Sequence, residues 1–234
     1  MSSDFRGGGV LYVLATPIGN LKDITLRALE ALKEADYVLS EDTRTIKKLL
    51  SAYEISARAV SYHQHSSDEK ISALAGLLLE GNKLVLVTEA GTPCISDPGD
   101  TLIKKARSLG APVIPLPGPS AVIAALSVSG FSGHNFYFAG FLPSTGKKLR
   151  RKIRDFEFLK TLIIFYDSPF RIKDTLNELF AIMGDKNIFI AREMTKLFEE
   201  YRLTSLAAMS ADFNMEEKGE FTVIIDNYEK DTDA

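Results

Sequence analysis

Four polar loops and one basic run carry the residue types that could do chemistry in this chain. The richest loop is Thr88-Glu-Ala-Gly-Thr-Pro-Cys-Ile-Ser-Asp-Pro-Gly99, which directly follows the apolar run at 84–87. Gly91 can admit close backbone approach, and Pro93 and Pro98 lock φ and fix the loop's path. A strand that ends in such a loop before a helix either floors a ligand site or is a tight connection without a ligand. The stretch alone leaves both readings open. Ser40-Glu-Asp-Thr-Arg44 and Arg192-Glu-Met-Thr-Lys196 set carboxylates beside cations. Glu41, Asp42 or Glu193 could accept a proton, and so could Lys196 if burial depressed its pKa and left it neutral. Arg44, and Arg171 in Asp167-Ser-Pro-Phe-Arg171, could grip phosphates. Each of these groups reads equally as half of a structural ion pair. Lys147-Lys-Leu-Arg-Arg-Lys-Ile-Arg154 holds no acid among its cations. Lys147, Lys148, Arg150, Arg151 and Arg154 are either a solvated helix face or contacts to an anionic partner, and nucleic-acid phosphate is the favoured reading.

Several chemistries are disfavoured. No GxGxxG or GxxxxGK[ST] follows the first strand, and Ser120 sits in PGPSA rather than in GxSxG. His63 and His65 stand two apart with no third ligand nearby, so no metal is expected. Cys94 reads as a small loop filler, because the sequence places no base beside it.

These loops need strands that deliver them to one place. Apolar runs at 10–15, 37–39, 59–61, 84–87 and 113–116 predict five strands. Between them lie helical stripes, among them Leu26, Leu29 and Leu32, then Ile46, Leu49 and Leu50, then Ile71, Leu74, Ala75 and Leu78. Asp42 or Thr43, and Ser67 or Asp68, are candidate N-caps. This β-loop-α alternation predicts a mainly parallel sheet with helices on both faces, its loops gathered at the carboxyl edge. Pro117-Gly-Pro-Ser-Ala121 marks the boundary between a domain at 1–118 and a second at 119–234. In the second, strands are expected at 136–141, 161–166, 187–191, 201–203 and 219–225, forming a mixed sheet. The stripe Ile172, Leu176, Leu179, Phe180 and Met183 reads as core. Residues 1–9 show no periodicity and are expected to be disordered. The acidic tail at 226–234 needs no role beyond solubility.

The 234 residues are 45% hydrophobic, enough for a sizeable core. A net charge of -3 excludes a global basic field, so any nucleic-acid contact must come from a local patch. One cysteine excludes an internal disulfide framework. No apolar run is long enough for a membrane span, and 1–9 lacks a signal-peptide core. A soluble cytoplasmic protein is the expectation.

The motifs also resemble a known family. LYVLATPIGNLKDITLRALEALKEADYVLSEDTR, SYHQH, VTEAGTPCISDPG, VIPLPGPSAVIAALSVSGF, FYFAGFLP, YDSPFR, AREMTKLFEE and KGEF occur in order across nearly the whole chain. Together they are similar to the tetrapyrrole methylase superfamily, most closely its ribosomal branch. The resemblance implies two α/β domains with S-adenosyl-L-methionine in the cleft between them, and a homodimer. It implies methylation of a cytidine ribose 2'-hydroxyl in the decoding region of 16S rRNA, as naked RNA or in the small ribosomal subunit. Matched by motif, the cofactor-binding residues are Pro17, Ile18, Glu89, Gly91, Thr92, Pro93, Ile95, Ser96, Ser120 and Ala121, with Tyr166, Ala191, Gly219 and Phe221 from the second domain. For that reaction Glu41, Glu193 and Lys196 are the candidate bases. The chain departs from the family at Glu89, where Asp is usual, at Asp167, where Glu is usual, and at Phe170, where His is usual. A tetrapyrrole substrate, or a non-catalytic nucleotide or RNA binder in the same cleft, are the competing readings.

Overall fold

Short runs rich in Leu and Val make the central strands of the first unit. The computed structural model describes residues 8–144 and 146–228. Expectations for 1–7 and 229–234 lie outside the described residues. The strands are β1 (Val10–Leu14), β2 (Tyr37–Ser40), β3 (Arg58–Ser61), β4 (Lys83–Leu86) and β5 (Val113–Leu116). The connecting helices are α1 (Leu26–Lys33), α2 (Thr43–Ala52), α3 (Asp68–Leu79) and α4 (Asp100–Ser108). Every strand pair is parallel, in the order β3-β2-β4-β1-β5. Side-chain caps fix the helix starts: Thr25 accepts from the Ala28 amide, Asp42 from Arg44 and Ser67 from Lys70.

The strand order explains why the loops after β1, β2 and β4 meet. From β1 to β3 the chain steps in one direction, and from β3 to β5 it steps back. Right-handed crossovers then place α1 and α2 on one face and α3 and α4 on the other. Leu14, Val38, Val85 and Val87 pack with α1 and α2, whereas Leu11, Leu39, Leu84 and Leu86 pack with α3 and α4. The loop after β4 therefore leaves toward the face opposite to those of both neighbouring strands. Loops that part in this way leave a crevice outside the strands' carboxyl ends.

A second unit begins at Ala121, two residues beyond the expected boundary. It contains α5 (Ala121–Val128), β6 (Phe136–Phe141), α6 (Gly146–Phe156), β7 (Leu162–Asp167), α7 (Ile172–Met183), β8 (Asn187–Arg192), β9 (Glu200–Ser205), α8 (Leu206–Ala211) and β10 (Phe221–Asp226). The sheet order is β6-β7-β10-β8-β9, with β6–β7 parallel and the other pairs antiparallel, so the sheet is mixed. Leu149, Ile153 and Phe156 of α6 join Ile172, Leu176 and Leu179 of α7 in one core with Phe165, Ile190 and Val223. Register puts Asp167 and Arg192 opposite Phe221, and Glu200 opposite Arg192. The end of β7, the end of β8 and the start of β10 thus share one sheet edge.

Candidate active site

In the first unit the crevice is built on a backbone bridge. Thr16 and Gly91 exchange amide-to-carbonyl hydrogen bonds of 2.9 and 3.0 Å, joining the loops after β1 and β4. The buried Thr16 hydroxyl donates to the Thr88 carbonyl at 3.0 Å. Gly91 has φ +82°, while a Cβ there would meet Ile18 Cγ2 at an ordinary 3.5 Å. Conformation, not crowding, makes glycine the fitting residue at this position. Cys94 and Ser96 also adopt positive φ, 68° and 67°, which non-glycine residues seldom do. Thr92 Oγ1 donates to the Pro119 carbonyl at 3.4 Å, tying the loop to the turn that carries Ser120 and Ala121. Ile95, Ser96 and Glu89 are exposed along this loop, Ile18 and Thr92 are half-buried, and Pro17 and Pro93 are buried. Cys94 fills space: its Sγ occupies the place where a Cβ on Gly99 would lie, and burial raises its thiol, helped by Asp100 and Asp97.

Two carboxylates of this edge differ in readiness to take a proton. The Arg44 side chain holds the Asp42 carboxyl below its ordinary range, and the Arg44 amide adds to that hold. Asp42 is thus a cap and an ion-pair partner, which removes it as a base. Arg44 keeps a side chain 88% exposed despite that pair. Asp97 behaves oppositely. Burial raises its carboxyl, the Thr88 side chain opposes that by hydrogen bonding, and the Glu41 charge pushes the same way as burial. The sequence reading passed over Asp97. The available signal was its place in the Ser-Asp-Pro-Gly turn, on the loop flanked by the one that carries Glu41.

In the second unit the expected bases are already engaged. Lys196 Nζ lies 2.6 Å from Glu193 Oε1 and 2.9 Å from Glu220 Oε2. The same Glu193 oxygen accepts from the Glu220 amide at 3.0 Å. Burial would lower the Lys196 ammonium, but the two carboxylates outweigh it and raise it. The two carboxylates thus favour the charged form of Lys196 over the neutral form that a base would need. Burial would raise the Glu193 carboxyl, but Lys196, the Glu220 amide and Arg192 outweigh it and lower it. Glu193 thus anchors the loop through Lys196 and the Glu220 amide. Gly219 serves this anchor directly. It has φ +84°, and a Cβ on it would come within 2.2 Å of Glu193 Cγ and 2.4 Å of Oε1. Glu193 and Thr195 have positive φ themselves, 49° and 68°. Of the non-glycine residues with positive φ among those described, all but Glu54 lie in this loop or the one after β4, and such strain concentrates at functional loops. Arg192, missed from the sequence, is 7% exposed and ties the loops together. It pairs with Glu200 and donates to the Lys218 and Phe198 carbonyls.

Other assignments move as well. Arg171 is not a free phosphate grip, because its Nε pairs with Asp167, whose side chain is fully buried. Arg150 is held by Glu178 through hydrogen bonds of 2.8–3.2 Å. Lys152 donates to the Tyr137 hydroxyl at 2.8 Å. Lys147, Lys148, Arg151 and Arg154 remain exposed, opposite the buried Leu149, Ile153 and Phe156 of α6. Tyr166 is half-buried and edge-on to Phe138 at 5.0 Å. Ala191 and Phe221 are each 1% exposed and paired within the sheet.

Residues 10–210 match the family model described as tetrapyrrole (corrin/porphyrin) methylases. A protein of Halalkalibacterium halodurans named ribosomal RNA small subunit methyltransferase I is 44% identical, over 93% of this chain and 76% of its own length. One of the same name from Thermotoga maritima is 42% identical, over 94% of this chain and all of its own length. A crystal structure of diphthine synthase superposes with a TM-score of 0.70 at 16% identity, covering 93% of this chain and 89% of that one. A uroporphyrin-III-C-methyltransferase structure from Thermus thermophilus gives 0.64 at 16%, covering 94% and 95%. These two structures speak to the fold alone.

Proposed function

The chain belongs to the tetrapyrrole (corrin/porphyrin) methylase family, and on that premise we propose that it methylates the 2'-hydroxyl of a cytidine ribose in the decoding region of 16S rRNA. The observation that carries this reading is the identity of 44% and 42%, over 93% and 94% of the chain, to two proteins bearing the ribosomal name. The methyl donor is S-adenosyl-L-methionine, whose sulfonium supplies an electrophilic methyl group. The residues present fit such a cation. Glu89 is exposed on a loop held rigid by the Thr16–Gly91 bridge, with Ile95 exposed beside it for apolar contact. Ile18, Gly91, Thr92, Pro93, Ser96 and Ser120 complete this first-unit set, with Pro17 buried. In the second unit, taken by itself, the motif-matched residues are Ala121, Tyr166, Ala191, Phe221 and Gly219, the last housing Glu193.

A ribose hydroxyl is a weak acid, and a carboxylate within hydrogen-bond reach assists its attack. We assign that role to Glu41 and Asp97. Lys196 and Glu193 instead fix the loop after β8. Arg44, Lys147, Lys148, Arg151 and Arg154 take phosphates. The enzyme works as a homodimer in the cytoplasm, on the small ribosomal subunit or its RNA. Purified protein, methyl-labelled S-adenosyl-L-methionine and small subunits lacking the modification test this. Label in the RNA is the expected result, and label only on an added precorrin, or none at all, overturns it. Because the Asp97 carboxyl is raised, the rate should climb with pH through that raised value. Asp97→Asn should flatten this acid limb, and Glu41→Gln should lower kcat with cofactor affinity unchanged.

A further inference from the structure

Phe170 is 95% exposed, yet the backbone on both sides of it is fixed. Asp167 Oδ1 accepts from the Ser168 amide at 2.8 Å and pairs with Arg171 Nε. The Arg171 amide donates to the Ser168 carbonyl at 3.3 Å, and α7 starts at the next residue. Pro169 locks one further φ. A buried i,i+4 ion pair thus closes the loop from below and presents the Phe170 ring to solvent. Leaving a phenyl ring in water on a rigid loop forgoes the gain of burying it, which suits a ring kept for a partner.

The surroundings choose the partner. α7 packs against α6, the Arg150–Glu178 pair ties the first half of α6 to the second half of α7, and because β6, β7 and β8 run the same way both helices start at the same end of the sheet. The loop before α7 therefore shares its end of the sheet with the first turn of α6, where Lys147 and Lys148 are exposed, and Arg151 follows one turn on. An apolar ring beside cations matches a ligand with flat π faces and a charged backbone, which describes single-stranded nucleic acid. A second exposed apolar pair, Leu197 at 88% and Phe198 at 74%, has the opposite setting. It stands next to Glu199 and Glu200 on a loop whose only lysine is neutralised by Glu193 and Glu220. Acids repel a polyanion, so charge separates the two patches.

We propose that Phe170 is a stacking platform for an unpaired base of the RNA substrate, with the exposed cations of α6 holding the adjoining phosphates. This rests on the RNA reading given above and adds how an unpaired nucleotide is held. Phe170→Ala should raise KM for small ribosomal subunits about five- to hundredfold, the range typical of losing one base–aromatic stack. The melting temperature, kcat and cofactor affinity should stay the same. Phe170→Trp should restore KM. The chain has no tryptophan, so that variant also carries a single indole reporter. Its fluorescence should be quenched saturably by a short unpaired oligoribonucleotide at low salt. Leu197→Ser with Phe198→Ser should leave KM for subunits unchanged. Inactivity of the wild type on subunits would count against the RNA reading, while the fluorescence titration would still decide whether the ring meets RNA. An unchanged KM in Phe170→Ala with an unquenched tryptophan overturns the inference. So does a change of oligomeric state in Phe170→Ala without a change in RNA KM, which would give the ring to a second copy of the chain.

Discussion

Gly219 and Glu193 are coupled by space. Alanine at 219 would need a positive φ and would push its Cβ into the Glu193 side chain. Gly219→Ala should therefore destabilise the protein by about 1–3 kcal/mol, the usual cost of a strained backbone position. Glu193→Ala removes the atoms in the way, so the double variant should recover part of that loss. A coupling of about 0.5–3 kcal/mol, read from denaturant unfolding of the four proteins in the cycle, is expected for neighbours in contact. Strict additivity would show that Glu193 does not fill that space. Residue types were legible in the sequence here, but their partners were not. Gly219, Glu193 and Lys196 were all singled out as functional, yet only tertiary structure reveals that Gly219 houses Glu193 and that Lys196 is charged by two carboxylates. Arg171 and Arg150 likewise have partners that only the fold brings to them. Asp167 stands only four residues before Arg171, but its burial is a tertiary fact, and Glu178 comes from another helix.

The α6 helix shows what periodicity does reveal. Leu149, Ile153 and Phe156 follow helical spacing and are buried, which turns Lys147, Arg151 and Arg154 outward along one stripe. Replacing Lys148, Arg151 and Arg154 together by Gln should weaken RNA binding and flatten the slope of log affinity against log salt by about two, since each phosphate contact on single strands contributes roughly 0.7. Arg150→Gln should leave that slope unchanged, because its guanidinium already faces Glu178. Filter binding at several salt concentrations separates these outcomes, and an unchanged slope in the triple variant would remove α6 from the RNA contact. Alternating apolar runs gave away the strands and helices of the first unit nearly to the residue. The positive-φ conformations at Cys94, Ser96, Glu193 and Thr195 left no such trace, because propensity argues against them and only the closed loop enforces them.

At the scale of the molecule, the chain folds as two α/β units. The first brings its loops together because β4 leaves its sheet toward the face opposite to its neighbours β1 and β2, and that follows from strand order alone. The second presents a stapled edge beside a cationic helix. The parallel first sheet was legible from the β-loop-α rhythm, whereas the order β6-β7-β10-β8-β9 was not, since the last strand inserts between two earlier ones. The claim that unites the two units is ribose methylation of a small-subunit cytidine. Nucleoside analysis of small-subunit RNA, methylated by the purified protein and digested to single nucleosides, addresses it most directly. The account predicts that the transferred label co-migrates with 2'-O-methylcytidine from the decoding region; label on a base carbon or nitrogen, or on another nucleoside, would contradict it.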